Sequence, residues 1–131
     1  MKLTIPYYLH KVGAGFPSPA TDYIEDDIDL NTHLITNAPA TFIIRVQGKS
    51  MTDVSIYDGD LLIVDKSLNP KNFSTVIANI NEELVVKTLI KDKGKNYLTS
   101  GSKNTSDRIN LTDNPEIIIW GVVTYVIHKQ Q

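Results

Sequence analysis

The 131-residue chain contains no cysteine. Disulfides, thiolate metal sites and a cysteine nucleophile are therefore excluded in any compartment. Histidine is scarce: His10, His33 and His128 stand far apart without the short paired spacing of metal ligands. Each reads as a surface or loop residue, and neither a metal nor a cofactor is expected. No apolar run approaches the roughly 18 residues of a membrane span, and Met1 to His10 lacks the apolar core of a secretory signal, so a cytoplasmic protein is expected. Positive charge is not in excess either. Thirteen Lys and Arg against 15 Asp and Glu leave a net charge of −2, whereas a general nucleic-acid surface needs clustered Lys and Arg to meet phosphates. Direct binding to nucleic acid is not expected.

What is present suits one domain, since 41% hydrophobic residues in a chain of this length suffice for a real core. The first thirty residues differ from the rest. They hold Pro6, Gly13, Gly15, Pro17 and Pro19, then Asp22, Glu25, Asp26, Asp27 and Asp29 within eight positions and without a compensating base. Such a segment is poor core material. Thr21 and Asp22 are placed to cap a short helix with Ile24 and Ile28 on one side and solvated acids on the other. From Ala40 onward the pattern turns to short β-like runs: Thr41 to Val46, Asp60 to Asp65, Thr75 to Ile80 and Glu83 to Ile90, with Asp58-Gly59 and Asn81-Glu82 where turns are wanted. The run Glu116 to His128 reads as one long strand, irregular at Gly121, whose Ile117, Ile118, Ile119 and Trp120 suit either core or a dimer surface, core being the more frequent outcome. The expected fold is mainly β: a compact β-rich body over residues 31–131 behind a flexible N-terminal arm over residues 1–30.

Within that body, Gly48-Lys49-Ser50-Met51 follows a strand and precedes the turn at Asp58-Gly59, so Ser50 falls at a strand end, where its hydroxyl can face a cleft. A serine in a loop more often bonds only its own backbone. Lys87 alters the weighing. Period-2 alternation in Leu84 to Ile90 puts it on the same face as Val85 and Leu89. An amine held among apolar groups favours its uncharged form, the form that accepts a proton from a serine hydroxyl. By pattern alone, a lysine guarding a strand edge or reaching to solvent is the commoner arrangement. No histidine is placed to complete a Ser-His-Asp triad, whereas a Ser-Lys dyad needs only Ser50 and Lys87. The backbone amides of Ser50 and Met51 would then serve as the oxyanion hole. A substrate candidate lies in the same chain: Ala14-Gly15 is a small-small peptide bond, and the Phe16-Pro17-Ser18-Pro19 that follows favours extended backbone. An ordinary hinge is the alternative there.

Ala14 to Ala20, Ile28-Asp29-Leu30-Asn31, Gly48 to Asp53, Asp58 to Asp65 and Val85-Val86-Lys87 occur in an order and at spacings that resemble the LexA/UmuD-type self-cleaving serine peptidases, UmuD above all. Gly15 and Ser50 are thirty-five positions apart and Ser50 and Lys87 thirty-seven, and joint agreement of such spacings is far more specific than any one motif. The resemblance implies a LexA-like fold and a homodimer that meets a RecA filament on single-stranded DNA and cuts its own arm at Ala14-Gly15, with Ser50 as nucleophile and Lys87 as base. It further implies that the shortened form joins UmuC, an error-prone Y-family polymerase, in SOS mutagenesis. Only fourteen residues precede Gly15, too few for the helix-turn-helix domain of a repressor. Two positions depart from the pattern: Lys49 where an acid is common, expected to point away from Lys87, and Val54 where a glycine is common. Two competing readings are a polymerase-binding scaffold of the same fold with an idle dyad, and a signal peptidase, which would need a membrane anchor.

Overall fold

The acidic stretch near the start of the chain is a strand rather than the face of a helix. The computed structural model describes residues 3–8, 14–15, 24–101 and 107–131, and the chain divides into two compact units, Met1–Thr36 and Asn37–Gln131. In the first unit β1 (Thr4–Tyr8) pairs antiparallel with β2 (Ile24–Asp29), with a bulge between Tyr7 and Tyr8. The expected helix carrying Ile24 and Ile28 is thereby corrected; its caps, Thr21 and Asp22, lie outside the described residues. Aspartates are weak helix formers, and the β-prone Thr4, Ile5, Tyr7 and Tyr8 of β1 offer β2 a pairing partner along its length. The helix comes one step later. In α1 (Leu30–Leu34) the side chain of Asp29 accepts from the Asn31 amide at 3.2 Å and the Thr32 hydroxyl at 3.0 Å, a capping arrangement for the first turn. Ala14 and Gly15 are exposed in a bend, His33 is exposed on α1, and His10 and Phe16 to Ala20 lie outside the described residues.

The second unit is one antiparallel sheet of seven strands: β3 (Thr41–Arg45), β4 (Leu61–Asp65), β5 (Thr75–Ile80), β6 (Glu83–Asp92), β7 (Lys95–Thr99), β8 (Ile109–Asn110) and β9 (Ile118–Ile127), in the order β3-β4-β9-β5-β6-β7-β8. The mainly β reading is borne out. Neighbouring residues on three strands enter opposite cores. Ile77, Val86 and Val123 belong with Val46, Met51 and Leu62, whereas Val76, Val85 and Val122 belong with Leu89 and Leu98. Strands covered on both faces need apolar residues at consecutive positions, which is why these runs do not alternate. The hairpin between β5 and β6 turns on Asn81 and Glu82, both at positive φ (52° and 67°), and that between β6 and β7 on Lys93 and Gly94 (51° and 78°). Two-residue turns of this hand match the twist of the strands they join.

β9 is irregular where the sequence suggested. Its register shifts against β5 between Gly121 and Ile119, and against β4 between Tyr125 and Val123. Ile117 and Ile119 pack on the second core, but Ile118 is 60% exposed, and Trp120 is 38% exposed, edge-on to Phe42 at 4.9 Å with the Lys66 amine 4.6 Å from its ring centre. Of the two outcomes left open for these four, core holds for Ile117 and Ile119, while alternation sends Ile118 to the outer face. Gly121 has no room for a side chain, since a Cβ there would lie 2.5 Å from Val64 Cγ1. Gly121→Ala is expected to cost about 1–3 kcal/mol through overpacking, measured as a lowered urea midpoint at unchanged m-value. A midpoint equal to that of the parent chain would show that the sheet absorbs the methyl.

Candidate active site

The segment between β3 and β4 is a loop with a closed neck. The Val46 amide donates to the Asp60 carbonyl and the Gly59 amide to the Val46 carbonyl, both at 2.8 Å. Farther out, the Gly48 amide donates to Asp58 Oδ1 at 2.8 Å. Met51 anchors the loop. Its side chain is 2% exposed among Val46, Ile56 and Leu62, its sulfur accepts the Gly101 amide at 3.2 Å, and its carbonyl accepts the Val54 and Ile56 amides. Ser50, one residue earlier, is exposed. A buried methionine thus fixes the position of a serine at the surface. Val54 packs on the same core, and the left-handed conformation in this turn falls on Ser55 (φ 65°).

Asp60 holds the neck from inside. It is 1% exposed, and its carboxylate accepts the Tyr57 amide at 2.9 Å and His128 Nδ1 at 2.5 Å. The Tyr57 amide, then the His128 side chain, hold its pKa below the ordinary carboxylate value, against the opposing effect of burial. His128, which the sequence gave no reason to single out, therefore ties the chain end to the loop that carries Ser50.

Lys87 stands where β6 loses a neighbour. Among the described residues Glu83 to Lys87 pair only with β5, and pairing to β7 begins at Thr88, opposite Thr99. The first half of β6 consequently has an open edge. Continuing the register places Lys87 across from Ser100, and Lys87 Nζ donates to Ser100 Oγ at 2.8 Å. A cavity of about 370 Å³ lies along this edge, lined by Val46, Gly48, Ser50 and Met51 on one side and by Leu84, Val86 and Lys87 on the other. Ser50 and Lys87, thirty-seven positions apart, thus face one cavity. Lys49 is exposed and not part of the lining. A larger hollow of about 500 Å³ is lined by Asn81, Arg108, Asp113 and Glu116 among others, with no serine, threonine, lysine or histidine, so no hydroxyl nucleophile faces it.

The sequence reading missed Ser100. The signal was available in the Lys93-Gly94 turn: a two-residue hairpin there fixes the register of β6 on β7 and carries position 87 opposite position 100. Among the described residues no cluster of three metal-binding side chains occurs, and no helix is long and apolar enough to cross a membrane.

The family model for peptidase S24-like proteins matches residues 6–124. The chain belongs to the peptidase S24-like family. It is 41% identical to the protein ImpA of Salmonella typhimurium over 95% of this chain and 83% of the relative. Identity is 39% to the protein MucA of Escherichia coli, over 93% and 83%. A LexA repressor of Clostridium acetobutylicum is 35% identical over 82% of this chain and 52% of its own length. The LexA/UmuD-type resemblance is thus borne out at the level of the S24-like family.

The depressed pKa of Asp60 fixes the sign of one pH effect. Above the ordinary carboxylate value its stabilisation is fully present, and it is lost as pH falls through the depressed native value, because the unfolded state takes up the proton first. Urea midpoints measured from about pH 5 down to about pH 2 are expected to fall less steeply for Asp60→Asn than for the parent chain. Parallel curves would remove Asp60 from the account.

Proposed function

We propose that this S24-like protein is a self-cleaving serine peptidase that acts in SOS mutagenesis. The observation that carries the reading is the single cavity faced by both Ser50 and Lys87. The Ser50 hydroxyl attacks the Ala14 carbonyl and passes its proton to the uncharged Lys87 amine. The Ser50 and Met51 amides meet the developing oxyanion. When the intermediate collapses, the Ala14–Gly15 bond breaks and the Gly15 nitrogen takes the proton from Lys87, leaving Ala14 as an ester on Ser50. Water, deprotonated by the same amine, releases the arm. The open edge of β6 beside the cavity supports an extended substrate, since unpaired strand backbone can hydrogen-bond a peptide laid along it.

The arm over residues 1–30 is the substrate, residues 1–14 are the fragment released, and the processed body begins at Gly15. The likeness to ImpA and MucA supports a place in the mutagenic response to DNA damage. In that setting a homodimer is stimulated by a RecA filament on single-stranded DNA, and its processed form serves as accessory subunit of a UmuC-like Y-family polymerase. RecA acts by raising the fraction of time the arm is docked, a shift of population rather than a change of chemistry.

Intact mass spectrometry before and after exposure to RecA, ATP and single-stranded DNA is expected to report loss of residues 1–14. Ser50→Ala and Lys87→Ala are each expected to slow cleavage by roughly 10³-fold or more while preserving the fold. Without RecA, cleavage should quicken as pH rises, because the uncharged amine is the active species. Cutting by Ser50→Ala at the same bond, or a pH-independent rate, would sink the assignment. An intact chain under every condition that still binds the polymerase would establish the scaffold reading instead.

A further inference from the structure

The Lys87 amine has a hydrogen-bond partner that the peptidase chemistry leaves unused. Its Nζ donates to Ser100 Oγ at 2.8 Å, and Ser100 is half-buried. The segment around Ser100 is pinned on both sides. Before it, Thr99 is buried and in register with Thr88, and its hydroxyl donates to the Gly101 carbonyl. After it, the Gly101 amide donates to the sulfur of Met51, the residue next to Ser50. Gly101 is buried at φ +81°, and a Cβ there would fall 1.9 Å from Asp53 Oδ1, so the segment packs directly on the turn that follows Ser50. One short stretch therefore contacts the candidate base through Ser100 and the loop of the candidate nucleophile through Gly101.

We propose that Ser100 is a positioning residue for self-cleavage, holding the Lys87 amine in the direction from which it exchanges a proton with Ser50. The proposal rests on the Ser50–Lys87 reading above. A lysine side chain is a flexible stem with a rotatable head, and general-base catalysis demands that its lone pair meet one hydroxyl within hydrogen-bond reach. An uncharged amine has two N–H groups and one lone pair. Committing one N–H to Ser100 Oγ restricts where the lone pair can point, and the bond persists when Nζ accepts the Ser50 proton. Ser100 neither gains nor loses a proton in the cycle. It is not the nucleophile, because the cavity beside the open strand edge is lined by Ser50 and not by Ser100.

The test compares Ser100→Thr with Ser100→Val, two side chains of nearly equal size of which only the first has a hydroxyl. Ser100→Ala, Ser50→Ala and Lys87→Ala are run beside them. Cleavage of the full chain is followed by intact mass at a series of pH values without RecA, and thermal melting of each variant is recorded. Ser100→Thr is expected to cut at close to the parent rate. Ser100→Val and Ser100→Ala are expected to cut roughly tenfold to a hundredfold more slowly at melting temperatures like that of Ser100→Thr. Rescue by the Thr hydroxyl and not by the equally large Val is the readout that a packing role would not give. Equal rates for the Thr and Val variants at every pH, with Ser50→Ala and Lys87→Ala inactive, would overturn the role of Ser100 and leave the dyad standing. Cleavage by Lys87→Ala would overturn both.

Discussion

The parting of β7 from β6 beyond Thr99 is the constraint on which the site depends. As far as Thr88 the two strands satisfy each other's backbone; from Lys87 back to Glu83, β6 has no neighbour on that side among the described residues. A strand edge inside a folded unit normally demands cover, because unpaired amides and carbonyls are costly when dry and adhesive when wet. Here the edge borders a cavity whose opposite wall is the loop after β3. Everything distinctive about the site follows from that separation: room for an extended chain, a lysine at the point of divergence, and a serine across the gap.

Keeping the gap at a fixed width requires the opposite wall to be stiff although it is a loop, and its polar and apolar anchors divide that task. Met51 is held by the core and by the Gly101 amide. Asp60 is held by Tyr57 and His128. The exposed residues of the loop, Ser50 and Lys49 among them, lie between these two anchors in sequence or just before them. A charged group as buried as Asp60 would be destabilising without partners, so the loop is over-determined at its neck while its tip remains accessible. Gly101 contributes by what it lacks, since any side chain there would collide with Asp53.

The residues differ in how openly the sequence declares them. The strand runs from Thr41 to Ile90 were legible because β-branched clusters alternate with turn residues, and Thr75–Ile80 was bounded correctly at both ends. Asn81-Glu82 was legible as a turn although neither residue is glycine. The acidic segment 24–29 was misread, because its strand character comes from a partner twenty residues earlier, and local preference carries no record of such pairing. Ile118 and Trp120 could not be assigned to core or surface because hydrophobicity alone does not say which face of a strand points inward. At the site, Ser50 and Lys87 could be singled out as residue types in suitable surroundings; their common cavity is a product of strand pairing and of the loop after β3, which no local pattern encodes. Asp60 and His128 escaped for the same reason, being sixty-eight positions apart.

A peptidase whose substrate is its own arm faces a difficulty that ordinary peptidases do not, because its substrate is always present. On the proposed reading, the site must be fully formed yet seldom filled. Distorting the dyad in the resting protein would meet that need only if some trigger rebuilt it, at the cost of breaking Met51, Gly101 and Asp60 contacts that belong to the core and the loop neck. Controlling occupancy is cheaper in physical terms. On that reading the body would keep its cavity and the edge of β6 intact, and a partner that favours a docked arm would raise the rate without altering the catalytic groups. The separation of the chain into two compact units, with the hairpin in one and the cavity in the other, suits regulation by occupancy better than regulation by rearrangement of the site.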